Sequence, residues 1–303
     1  MNMKLNSSIT YILFIVISIQ LLTSCEDEIA IDVDPLTEQL VVDAWLNNRS
    51  ESQSIFLSKT QPYFEHVLPE GVSGATIEVA SSAGTVFEFI ETDPGNYVWT
   101  PEAGETIGDV GTDYTLQITF EGKNYGAITS LNRVPPVDSI TYESGDDDVN
   151  RIRAEFFSRD FIGGGDTYWI KTFKNGVFLN KPSEMNIAFD AGFSQGAAVD
   201  GLIFIPPIRR AVNRTRDTDT DDNSDMYPWT FGDEIRVEIH SISNEAFFFL
   251  STAQTQMTNG DSGIFAEPVI NTKGNIFSED GEEEVEKKQW ANLELVVLNR
   301  RNP

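Results

Sequence analysis

Between residues 39 and 122, apolar runs of six to ten residues follow one another, each bounded by Gly, Pro, Asn or Asp. They are "QLVVDAWLN" (39–47), "QSIFLSKT" (53–60), "GATIEVAS" (74–81), "TVFEFIET" (85–92), "GNYVWT" (95–100) and "DYTLQITFEG" (113–122). All are rich in Val, Ile, Thr, Phe or Tyr, the residues that suit a pleated, half-buried surface. Thr76 to Val79 and Thr115 to Phe120 alternate polar and apolar, the two-residue period of a strand with one face in water. "SSAGT" and "EGKN" have hairpin-turn composition. Short strands with no helices between them exclude a parallel α/β sheet and predict a sandwich.

"RVPPVDS" (133–139) is the best domain boundary, because paired prolines stop ladder pairing and stiffen a linker. Beyond it stand "SITYES" (139–144), "RIRAEFFS" (151–158), "DTYWIKTFKNGVFLN" (166–180) and "DEIRVEIHSIS" (233–243). Asn175-Gly176 between two apolar runs is a hairpin signal. One helix is expected over 244–257: Ala246, Phe249, Leu250, Ala253 and Met257 share a face, Ser243 caps the start and Asn259-Gly260 ends it. The expectation is a mainly β chain of two sandwich-like domains, 39–134 and 135–303, the second carrying one short α-helix. "AAVDGLIFIPP" after Gly196 reads as a turn and a strand.

The N-terminus is an address. Lys4 precedes the 14-residue apolar run Ile9 to Leu22, which is too short for the roughly 20 residues of a spanning helix. This is the layout of a secretory signal over residues 1–24. Leu22-Thr23-Ser24-Cys25 has the form of a bacterial lipobox, small residues admitting the peptidase and the thiol taking a diacylglycerol as a thioether. Acyl chains on Cys25, the only cysteine, would hold the protein to a lipid bilayer at roughly 0.8 kcal/mol per buried methylene. Residues 25–38 form an acidic, Pro-bearing tether.

Composition narrows the partners. With 48 acids against 21 bases the formal net charge is −27, which repels phosphate backbones, so nucleic acid is excluded. One cysteine excludes an intramolecular disulfide and a Cys-based zinc site; two histidines, His66 and His240, exclude a multi-histidine metal centre. Glu26, Asp27 and Glu28 are unfavourable beside anionic headgroups and need another reason to follow the lipid.

Three motifs carry chemical suggestions. "GFSQG" (192–196) matches a nucleophile elbow with Ser194 as nucleophile and His240 as base, yet the mechanism requires a helix directly after Gly196 and none is expected. No catalytic residue is assigned. The "GGG" at 163–165 lacks the Lys-Ser/Thr of a phosphate loop and reads as a turn. Asp217, Asp219, Asp221 and Asp225 fall at positions 1, 3, 5 and 9 of a calcium loop, but Asp222 replaces its glycine and Pro228 its final glutamate. A solvated acidic loop competes with a calcium site there. Trp45, Trp99 and Trp169 lie in strands and read as core, whereas Trp229 in "MYPWTFGDE" is loop-like and a candidate ligand contact.

The ordered segments "CEDEIAIDVD", "QLVVDAWLN", "LSKTQPYF", "VSGATIEV", "PGNYVW", "YTLQITFEGKNY", "VPPVDSI", "GDEIRVEIHSISNEAFFFL" and "NTKGNIFS" resemble a family of Bacteroidota outer-membrane lipoproteins with a domain of unknown function. The resemblance spans about residues 25–278, and "SGATIEV" is also similar to transthyretin-like sandwiches of carboxypeptidase-regulatory domains. Genes of that family commonly neighbour a TonB-dependent receptor. The resemblance therefore implies export to the outer membrane, no catalysis and partnership with a TonB-dependent outer-membrane receptor. It also implies that Glu26-Asp27-Glu28 is a surface-export signal, placing the protein on the cell exterior. A stand-alone surface glycan-binding or adhesion module is the alternative. After "GNIFS" the chain departs from the family pattern, and "ANLELVVLN" is expected to supply a closing strand.

Overall fold

The computed structural model describes residues 38–61, 67–144, 151–213, 228–258, 272–278 and 292–298. The protein is mainly β and sandwich-like, and from Glu38 onward it forms one compact unit. Each of the six N-terminal runs becomes a strand: β1 (Leu40–Asn47), β2 (Gln53–Lys59), β3 (Thr76–Ser81), β4 (Val86–Asp93), β5 (Asn96–Trp99) and β6 (Asp113–Phe120). β7 (Lys123–Ser130) returns along β6 through a two-residue turn in which Glu121 and Gly122 both have positive φ. That backbone matches the twist of the strands it joins.

β1, β2 and β5 pair in one layer, and β3, β6 and β7 in the other. β4 belongs to both: Val86 to Phe89 pair with β3, Ile90 to Asp93 with β5, and the register slips between Glu91 and Asp93. A strand that changes partners along its length makes a sandwich corner. The alternation read from the sequence points inward as expected, burying Ile77, Val79, Leu116, Ile118, Phe87 and Phe89 in one core.

The second half supplies β8 (Ser139–Ser144), β9 (Arg151–Phe157), β10 (Thr167–Lys174), β11 (Val177–Leu179), β12 (Asn186–Phe189), β13 (Trp229–Thr230) and β14 (Ile235–Ile242), then β15 (Phe277–Ser278) and β16 (Asn292–Leu298). β13, β9 and β8 form a separate three-stranded sheet. The others join one continuous pairing path, β11-β10-β14-β16-β1-β2-β5-β4-β3-β6-β7-β15, with β12 also on β10. The expected closing strand is β16, parallel to β1 and antiparallel to β14. Hydrogen bonding thus runs from strands before "RVPPVDS" to strands after it. That segment is itself packed, with Val134 in the core and Arg133 bonded to Asp166.

Two expectations change. The turn-and-strand reading of "AAVDGLIFIPP" gives only an isolated bridge, Arg159 to Ile203, before a one-turn helix α1 (Pro206–Arg209). Pro206 and Pro207 open it, where missing N–H groups and a fixed φ suit a helix start. The expected helix is α2 (Asn244–Thr258), and the Ser243 Oγ accepts from the Ala246 N–H at 3.1 Å as its cap. Its buried face is rotated from the expected stripe. Ala246, Phe247 and Leu250 pack with Ile187, Phe189 and Ile242, while Met257 is 55% exposed. Further along that face the Gln254 amide donates to the Pro182 and Met185 carbonyls, so a polar side chain stands where a strict apolar stripe would place a hydrophobic one.

Candidate functional site

β10 and β14 lie antiparallel with Trp169 opposite His240, Lys171 opposite Glu238 and Phe173 opposite Arg236. Odd positions of one strand and even positions of the other therefore share a face. Asn175-Gly176, both at positive φ, turn the chain so that Phe178 of β11 falls beside Phe173. Arg49, from the turn after β1, reaches the same face and bonds Glu238 at 3.0 Å.

Glu238 is the hub. Arg49 and Arg236 both donate to its Oε1, and His240 Nε2 stands 3.2 Å from its Oε2. Burial, together with the positive charges of Lys171, Arg49 and Arg236, holds His240 well below the usual histidine range. The imidazole is neutral at pH 7, its proton belongs on Nε2 facing the carboxylate, and Nδ1 has no hydrogen-bond partner. Lys171 lies half-buried across from Glu238, yet among the described residues no carboxylate pairs with it. Its ammonium sits 3.9 Å from the centre of the Trp169 ring and 5.4 Å from that of Phe178. Burial, and then Arg49, lower its pKa to about 8. Arg236 stacks on Phe173 at 3.5 Å, and Trp45 meets Trp169 edge-on at 5.0 Å. The result is a cationic, aromatic face on an acidic chain.

A second polar cluster surrounds the triglycine turn. Carboxylate oxygens of Asp160, Asp190 and Asp200 lie within 4.8 Å of one another. Chain donors already satisfy them: Tyr168 O–H and Gly201 N–H to Asp160, Gly165 and Asp166 N–H to Asp190, and Gly163 N–H to Asp200. Arg133 clamps the turn from outside, donating to both oxygens of Asp166 and to the Ile162 and Gly163 carbonyls. Burial raises the Asp160 pKa despite the Tyr168 bond, and Asp166 and Asp190 push it further. The cluster is a loop clamp built from carboxylates. Tyr168→Phe should cost about 1–3 kcal/mol, the penalty of leaving a buried acceptor short of a donor; urea unfolding measures it, and an unchanged midpoint would contradict the clamp.

Of the residues singled out in the sequence, Cys25, Glu26, Asp27, Glu28, Asp217, Asp219, Asp221 and Asp225 lie outside the described residues. Trp229 is 3% exposed within β13, paired opposite Ile152, with Lys174 over its ring. Its loop-like surroundings conceal a short strand, and burial removes it as a ligand contact. Ser194 is exposed on a turn and His240 is buried in β14 bonded to Glu238. Sequence reasoning misses Lys171, Arg49 and Arg236. Arg236, Glu238 and His240 do recur at period two, so a charged strand face is legible; Arg49 joins it from 189 residues away.

A mainly β chain whose polar sites sit on sheet faces and loop clamps is the class defined by this geometry. Residues 26–285 match the family model described as a domain of unknown function, DUF4249, and the chain belongs to that family. No curated protein matches it.

Proposed function

We propose that the protein is a lipid-anchored outer-membrane protein facing the cell exterior, a non-catalytic ligand-binding or accessory partner of a TonB-dependent transporter. The observation that carries this is Leu22-Thr23-Ser24-Cys25 behind a short apolar run. The family match supports it, because it starts at residue 26, directly after the cysteine that would become the mature N-terminus. No helix among the described residues is long and apolar enough to cross a membrane. Two or more acyl chains on Cys25 would suffice for stable attachment. Glu26-Asp27-Glu28 supplies the outward signal.

The cationic, aromatic face favours ligand capture over a purely mechanical role, and it would serve a stand-alone glycan-binding module equally well. One set of measurements separates these readings. Cells fed an alkyne-bearing palmitate should label the wild-type protein and not Cys25→Ala. External protease should digest the wild type and spare a variant with Glu26, Asp27 and Glu28 all changed to Ala. Detergent extracts should yield a TonB-dependent receptor alongside it. Unlabelled wild-type protein removes the anchor, and an eluate without a receptor leaves the stand-alone module.

A further inference from the structure

Two cations meet one buried carboxylate on the β10–β14 face, and a third, Lys171, stands on the same face. Arg49 and Arg236 share Glu238, whose side chain is only 10% exposed, and Glu51 approaches Arg49 at 3.9 Å from an exposed position. His240 is uncharged and adds nothing to the balance. Among the described residues, Lys171 is therefore left facing rings instead of an anion. On a chain with more than twice as many acids as bases, a carboxylate for Lys171 would have been easy to supply. A cation–π interaction stabilises an ammonium less than a desolvated ion pair does. The arrangement holds a positive site open at the edge of an aromatic wall.

We propose that Lys171 and Arg49, ringed by Trp169 and Phe178, bind the oxyanionic group of a small ligand, such as the carboxylate of an acidic saccharide. The inference rests on the ligand-binding part of the reading above and names the ligand's charge. The ammonium leaves the Trp169 ring to meet the oxyanion, and Arg49 offers its remaining N–H groups beside Glu238. The ring faces so released are available to the apolar face of a sugar. The acidic remainder of the surface does not cancel this attraction, because at 0.15 M salt its charges are screened beyond about 8 Å. Glu238 competes for the same cations, orienting the guanidinium groups while limiting affinity.

The test uses the full chain in detergent at pH 7 and 0.15 M salt, followed by tryptophan fluorescence. Trp169 lies under the Lys171 ammonium and 5.0 Å from Trp45, so its emission reports on the site. Trigalacturonate should change the emission saturably, and a neutral trisaccharide should not. Lys171→Met should weaken the acidic saccharide at least tenfold. Glu238→Gln should tighten it several-fold, a gain that a purely structural face would not give. Inorganic phosphate titrated alone distinguishes the sources: weaker binding than trigalacturonate marks a saccharide carboxylate, and equal binding marks a simple oxyanion. Absence of any saturable response to either anion, or equal affinities in wild type and Lys171→Met, overturns the inference. Palmitate labelling at Cys25 in the same preparation shows whether the anchor reading survives such a failure.

Discussion

Gly95→Ala should destabilise the protein by about 3–5 kcal/mol, the range of severe overpacking combined with backbone strain. Gly95 closes the β4–β5 turn at φ +80, and its carbonyl accepts from Leu57 N–H at 2.8 Å. Gly71, bridged to Ser58 on β2, passes directly beside it. A Cβ at Gly95 would stand 2.5 Å from the Gly71 Cα and 2.6 Å from the Leu57 carbonyl oxygen. A Cβ at Gly71 would lie 2.1 Å from the Pro94 carbonyl. These obstacles are backbone atoms, held by ladder hydrogen bonds on both sides, so no side chain can swing away. Gly84→Ala is the matched control: its φ is +94, but nothing lies within 4 Å of the added carbon. It should cost only about 1 kcal/mol, the conformational share alone. Urea unfolding of the two variants separates strain from clash, and similar losses would show that the close crossing contributes little.

Lys171→Met should have the opposite sign, raising stability at pH 7 by about 2 kcal/mol. A shift from 10.5 to about 8 disfavours the charged form by roughly 3 kcal/mol at about 1.4 kcal/mol per pH unit. Removing the cation–π attraction to Trp169 offsets about 1 kcal/mol of that gain. Methionine is near in length and packs well against rings. The pH dependence follows from linkage. Below about pH 8 both folded and unfolded chains carry the proton, and the folded chain bears the full penalty. Between about 8 and 10.5 only the unfolded chain keeps it, so wild-type stability from this group rises with pH. The advantage of Lys171→Met is therefore complete at pH 7 and fades as pH approaches 10.5. Urea midpoints of the two proteins from pH 6 to 10.5 test this, and a constant difference would show that charge burial is not its source. A residue that weakens the fold where it sits is more simply explained by what it binds than by what it packs.

Much of the fold is legible because half-buried strands announce themselves. "TIEV" and "TLQITF" alternate, and Asn175-Gly176 and Glu121-Gly122 supply the positive φ that two-residue hairpins require. β7 is harder to see, because Gly126 and Ala127 dilute its β propensity. β12 is four buried residues, "NIAF", with no alternation to read. The face of α2 differs from its expectation by a fraction of a turn because Phe247, Phe248 and Phe249 allow several stripes, and packing against β12 and β14 chooses Phe247. The candidate site is half visible: a period-two run of Arg236, Glu238 and His240 marks a charged strand face in one segment. Lys171 and Arg49 join it only through register and a distant turn, which one-dimensional spacing does not encode.

The parallel pairing of β16 with β1 also has a kinetic meaning. Asp43 lies opposite Asn292, and His240 of β14 lies opposite Leu298. In chain order β16 comes after every other described strand, yet it fills the gap between β1 and β14. Until it arrives, β1 and β14 each present an unpaired edge, a template for association with other chains. Closing so long a loop is entropically slow compared with forming the hairpins around it. Molecules truncated before residue 292 should therefore self-associate through these open edges, which sedimentation of the truncated and full chains would show.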